Sequence, residues 1–137
     1  MTDQRPSERA EGAARRADLA RNQQRTEAAK AQRLIDEFVA AARSRGLPTE
    51  PLRARLLSGA EVRTDRVGWY LRRDRSVAIG ENGEYYVLLV PGGLAERLRG
   101  VRLTASPPPL VVGRGGPDGE AGDLAEFLRR RLESDVR

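Results

Sequence analysis

Apolar residues are spread unevenly along the chain, and their spacing changes character three times. Leu34, Ile35, Phe38, Ala41 and Ala42 fall on one face of a 3.6-residue repeat and predict an amphipathic helix. Gly46, Leu47 and Pro48 predict its end: a glycine for the left-handed cap, an apolar residue beyond it, then a proline that cannot continue the helix. Upstream the same face holds only Ala13, Ala17, Ala20, Gln24, Ala28 and Ala31. Alanine favours helix but buries little area, so this half reads as a solvated helical extension or a fraying arm. Residues 1–12, with Pro6, Ser7, Gly12 and charges of alternating sign, read as disordered.

The period then falls from 3.6 to two. Leu52-Arg-Ala54-Arg-Leu56 alternates and predicts a strand over 52–57, although Thr49-Glu50-Pro51 could also open a short helix. Val67, Trp69 and Leu71 alternate with Gly68, Tyr70 and Arg72, and Val77 and Ile79 with Ser76, Ala78 and Gly80. Aromatic and β-branched residues at this period mean strands. Arg73-Asp74 joins the two, a weak turn because it lacks glycine, and Glu81-Asn82-Gly83 is a strong hairpin signal before the next strand. Tyr85 to Val90 is apolar throughout, which predicts one central strand covered on both faces.

Beyond Pro91-Gly92-Gly93 the punctuation is dense. Leu94–Arg99 predicts a short helix closed by Gly100, Val101 and Leu103 a short strand, and Thr104–Pro109 an extended connector. Leu110-Val111-Val112 reads as a strand and Gly113–Gly119 as a flexible loop. A last helix opens at Asp123, with Glu126 three residues on as in a capping box and Leu124, Phe127, Leu128 and Leu132 as its apolar face. The expected fold is α+β. One antiparallel β-sheet of four to five strands is packed by N-terminal and C-terminal helices at 30–45 and 123–134. Residues 1–28 are a disordered or partly helical polar arm, and 29–137 form a single domain.

Composition narrows the chemistry. Among 137 residues there is no His and no Cys, and all but one of the 25 cations are arginine, Lys30 being the exception. Disulfides, thiolate or imidazole metal sites, Cys or Ser–His nucleophiles and histidine pH switches are excluded. Almost nothing titrates between the carboxylates and the tyrosines, so the net charge of +5 holds across the neutral range. No run of 18 apolar residues suits a membrane span, and the N-terminus lacks the apolar core of a signal peptide. The expected location is cytoplasmic.

Two segments hold most of the positive charge. Arg63, Arg66, Arg72, Arg73 and Arg75 face only Asp65 and Asp74 within residues 62–76, with Trp69 and Tyr70 between them. Guanidinium forks bind phosphate or carboxylate, and Tyr70, pointing away from Trp69, is the candidate ring for stacking a base. In the competing reading Trp69 is core and the arginines are a soluble sheet edge. The arm carries eight cations and five anions in residues 1–33, several spaced to pair with one another, such as Asp18 and Arg21. It reads as a solvated arm, a partner-docking helix or a nucleic-acid contact.

Two further features carry little. The glycines at 113, 115, 116 and 119 miss the dinucleotide fingerprint because Asp118 stands where the third glycine belongs. Asp118, Glu120 and Asp123 would repel an anion, and their spacing matches no cation loop. No cofactor and no metal are expected. Pro107–Pro109 reads as a rigid connector.

The segment Gly68–Gly93, with the Leu110–Gly119 strand and loop, resembles uncharacterised small proteins of high-GC actinobacterial genomes over roughly residues 34–134. The resemblance implies a cytoplasmic bacterial setting and no activity. The element order is similar to that of several small secretion-chaperone-like and nucleoid-associated domains. Without a reaction-capable constellation, the expectation is a non-enzymatic interaction or regulatory module with a protein partner or a second copy of itself. Nucleic-acid binding through Arg63, Arg66, Tyr70, Arg72, Arg73, Arg75 and the arm is the alternative.

Overall fold

A computed structural model describes residues 5–113 and 121–134. Helix α1 runs from Arg5 to Ser44, about 60 Å at 1.5 Å per residue. It begins well before the end of the segment expected to be disordered. A proline is tolerated in a first helical turn, and the Ala, Arg and Glu that follow are strong helix formers. The helix stops as expected. Gly46 takes φ of +68°, its N–H reaches the Arg43 carbonyl at 3.1 Å, and the Leu47 N–H reaches that of Ala42 at 2.8 Å.

Four strands follow as a meander: β1 (Glu50–Leu56), β2 (Glu61–Tyr70), β3 (Val77–Gly80) and β4 (Tyr85–Val87), each antiparallel to the one before. The expected single strand over 85–90 is divided. After Leu88 the chain becomes β5 (Leu89–Val90), which pairs parallel with β1. The five-stranded order is β4-β3-β2-β1-β5, so the two ends of the sheet are one bent run of chain. Leu88 makes the join. Its N–H donates to Ser76 at 2.9 Å on the β3 side, and its carbonyl accepts from the Arg55 N–H at 2.7 Å on the β1 side. The sheet therefore curls into a small barrel. The run is apolar because it crosses that wall, not because it is central, and Val87 and Leu89 on its outer side are exposed.

Alternation sorts the side chains into two cores. Leu52, Ala54, Leu56, Val62, Tyr70, Ala78, Tyr86, Leu88 and Leu103 fill the interior. Trp69, Leu71, Val77, Ile79 and Tyr85 point outward from β2, β3 and β4 against Ile35, Phe38 and Ala42 of α1 and Leu124 and Leu128 of α3 (Leu124–Glu133). Phe38 meets Trp69 edge-on, centroids 5.5 Å apart, and the indole N–H donates to the Leu47 carbonyl at 3.1 Å. Gly68 lies opposite Gly80 where β2 and β3 approach; a Cβ at Gly68 would stand 2.1 Å from the Ile79 carbonyl oxygen.

The remaining elements are short. Helix α2 is Leu94–Arg99, and β6 (Val111–Val112) pairs antiparallel with β7 (Gly122–Asp123) ahead of α3. The expected strand at 101–103 is reduced to one parallel bridge between Val101 and Thr64. Asp123 sits at the start of α3 as expected, but its side chain makes no cap and Glu126 turns to Arg129 and Arg130 instead. Most of the glycine loop, residues 114–120, lies outside the described residues, and with it the Asp118 and Glu120 reading.

Candidate interaction surfaces

The arginines expected to act together do not meet. Arg72 is buried, its side chain only 4 % exposed. Its guanidinium donates to the Gly113 carbonyl, lies 3.7 Å from the Asp74 carboxylate and stacks 5.2 Å over the Phe127 ring. It ties the β2–β3 turn to the C-terminal layer and offers no fork to a ligand. Tyr70 does point away from Trp69, but inward. It is 7 % exposed, its hydroxyl accepts the Arg53 N–H at 2.8 Å, and the Arg75 guanidinium lies 4.9 Å over its ring. The stacking role expected of Tyr70 is therefore overturned: a barrel interior takes every second residue of its strands, and Tyr70 shares that parity with Ala78 and Tyr86.

Arg73 and Arg75 are exposed on the β2–β3 turn. Arg75 adopts φ of 56°, the left-handed position that a glycine would normally fill in such a turn. Asp74 holds the turn by accepting from the Ser76 N–H at 3.0 Å. Arg63 and Arg66 are exposed near the other end of β2, roughly 20 Å away along the strand. There β2 bulges: its register with β1 shifts, Thr64 Oγ1 donates to the Leu52 carbonyl at 2.7 Å, and Asp65 accepts the Leu103 N–H at 2.9 Å. The Arg66 guanidinium stands 3.9 Å from Asp65.

A different set of arginines does share a face. Arg53 and Arg55 of β1 alternate with the interior residues Leu52, Ala54 and Leu56, so both point out of the barrel. Arg53 stands opposite Arg63 on β2, and Arg55 opposite Leu89 on β5. Only Glu61 opposes them, 3.2 Å from Arg53. The signal for this face was present in Leu52-Arg-Ala-Arg-Leu56, where one parity is wholly apolar and the other wholly cationic. Arg53 and Arg55 stand in solvent here, and α2 meets this flank at Arg63, whose guanidinium donates to the Leu98 carbonyl at 3.2 Å.

The third surface is α1 itself. From Ser7 to Lys30 every residue is exposed except Gly12 and Ala28, which are half-buried. Asp18 and Arg21 form the ion pair their spacing implied. An open groove of about 320 Å³ runs between this helix and the body, lined by Leu19, Thr26 and Lys30 on α1 and by Leu110 across from it.

Among the described residues no cluster of three acidic side chains could hold a metal ion, and no helix is long and apolar enough to cross a membrane. Three tyrosines lie inside, and burial pushes Tyr85 and Tyr86 above the ordinary phenol range. No family model matches the chain, and neither a curated protein nor a solved structure matches it.

Proposed function

We propose that the protein is a non-catalytic interaction module that docks a protein partner through α1. The observation that carries this reading is the helix's exposed portion. Ser7 to Lys30 is about 36 Å of continuous helix in which every residue but the half-buried Gly12 and Ala28 is exposed. Most helical stability in proteins comes from packing of a helix face, and a partner that packs along this stretch adds the burial it lacks. Its charges are of mixed sign, which suits a protein surface better than a phosphate backbone.

Nucleic acid is the weaker reading. Every described aromatic ring is buried or half-buried, so none is presented for a base, and Arg72 is spent inside the fold. The tests separate the two. Removing residues 1–28 should leave a folded domain, with an unchanged circular-dichroism melt per residue, and abolish recovery of the partner that the full chain retains. Recovery of the same partner by the shortened chain would remove α1 from the function. A salt-sensitive mobility shift with duplex or single-stranded DNA, or with RNA, lost on Arg73→Ala with Arg75→Ala, would favour nucleic acid.

A further inference from the structure

Helix α2 is turned inside out. At about 100° per residue, Leu94 and Leu98 share one side and Glu96 lies opposite them. The side facing the barrel is the one with Glu96. Its carboxylate accepts the Gly93 N–H at 2.9 Å, its stem closes on Gly92, and its carbonyl accepts the Gly100 N–H at 2.8 Å. Leu94 and Leu98 are 72 % and 70 % exposed, and no residue of the helix is buried. Six residues have no helical stability of their own. Polar ties fix this turn instead: besides those of Glu96, the Arg63 guanidinium donates to the Leu98 carbonyl at 3.2 Å and the Val101 N–H to the Arg63 carbonyl at 2.9 Å. The two leucine side chains are held outward by interactions that use only backbone atoms and polar side chains.

Their surroundings are cationic. Arg97, Arg99 and Arg102 are exposed on the same short stretch, and Arg63 lies beneath it. The two nearby carboxylates, Glu96 and Asp65, are occupied by backbone N–H groups. An exposed aliphatic pair on a stretch that also exposes three arginines complements a ligand with aliphatic side chains flanked by carboxylates. We propose that α2 is a docking site for an acidic amphipathic segment of a protein partner, with Leu94 and Leu98 entering its apolar face and Arg97 and Arg99 its carboxylates. The site stands at the β1–β2–β5 end of the barrel, away from the flank that α1 covers, and is independent of the α1 reading. A protein with both surfaces joins two partners.

The test is selection from a random sixteen-residue peptide library displayed against the full chain. The expected winners combine Asp or Glu with Leu, Ile or Phe at helical spacing. Their synthetic versions should bind at least tenfold more weakly to Leu94→Ser with Leu98→Ser, and to Arg97→Glu with Arg99→Glu. Both variants should melt like the parent, since neither touches a core. Failure to enrich any peptide, winners without acidic residues, or binding that neither variant weakens would each overturn the proposal. So would a face that instead sediments with phosphatidylglycerol vesicles, or shifts a 30-nucleotide single strand, and loses that property in the leucine variant: the site would then belong to lipid or nucleic acid. Deleting residues 1–28 leaves this binding intact whatever becomes of the α1 reading.

Discussion

The barrel wall has two flanks that agree inside and differ outside. On β1, Leu52, Ala54 and Leu56 point inward; on β2, β3 and β4, so do Tyr70, Ala78 and Tyr86. The outward parity of the second flank is Trp69, Leu71, Val77, Ile79 and Tyr85, and α1 and α3 lie on it. The outward parity of the first is Arg53, Arg55 and, across from them, Arg63 and Leu89, all exposed, with the six-residue α2 tied to Arg63. A closed sheet this small must be apolar within all round, so the interior says nothing about which side a second layer takes. The outer residues decide it. Five large apolar side chains call for cover, and guanidinium groups, whose burial without partners is costly, forbid it.

The sharpest way to break this contrast is at its largest outward residue. Trp69→Ala removes an indole that is 2 % exposed, meets Phe38 edge-on and bonds the Leu47 carbonyl. Truncations of this kind cost about 3–5 kcal/mol. In urea denaturation the variant should lose a large part of the stability of a domain this size. A loss below about 1 kcal/mol would mean that α1 is not what stabilises the covered flank. Gly68→Ala tests the wall beneath it. The new methyl would collide with the Ile79 carbonyl, and backbone cannot swing aside as a side chain can. A cost of about 1–3 kcal/mol is expected, with faster amide exchange confined first to β2 and β3.

Most of the wall was legible in the sequence, because period two marks strands and their inward parity directly. The helix ends at Gly46 and Gly100 were legible because each rests on local chemistry, and the start of α3 lies where expected although its capping box does not form. What period two does not carry is the identity of a strand's neighbours. Tyr85–Val90 reads as one strand whether it lies between two partners or bends from one to another at Leu88. Nor does it say which side of a sheet is the inside. Trp69 and Tyr70 are both aromatic and of opposite parity, and a flat sheet with one covered face would have left Tyr70 in water. Curling the sheet gave both residues a core. Arg72 was illegible differently. Its partners, Gly113 and Phe127, are some forty and fifty-five residues away, and nothing local marks an arginine for burial.

Arg72 also sharpens the contrast, as the one buried cation among the described residues. Arg72→Ala should cost about 1–3 kcal/mol, since it leaves the Gly113 carbonyl unpaired and uncovers the Phe127 face. Solvent pH probes the interior more gently. Burial raises Tyr85 and Tyr86, so both stay protonated in the folded chain at a pH where they ionise once unfolded. Their contribution is complete below about pH 10, the ordinary phenol value, and is lost as pH rises toward the folded values. On the acid side the Arg129 guanidinium holds the Glu126 carboxyl below its ordinary value, so its contribution is present above that value and fades as pH falls through the folded one. With no histidine, urea midpoints should be flat between about pH 6 and 9 and should begin to fall near pH 10. A midpoint that moved by more than experimental scatter within that window would overturn this assignment of the titrating groups.

The smallest effect is expected where the contrast is starkest. Arg55 is the outward neighbour of two fully buried residues, Ala54 and Leu56, yet its own side chain stands in solvent opposite Leu89. Arg55→Ala should change stability by no more than about 0.5 kcal/mol, because an exposed guanidinium on an uncovered wall gives up its hydration to nothing. The substitution that matters here is the opposite one. If the bare flank is kept uncovered by its charge, then Arg53→Leu with Arg55→Leu joins Leu89 in an exposed apolar patch, and the chain should self-associate at micromolar concentration in analytical ultracentrifugation while Arg55→Ala alone stays as the parent. A double leucine variant that sediments as the parent does would show that charge is not what leaves this flank bare, and that the difference between the two flanks lies in the reach of the helices alone.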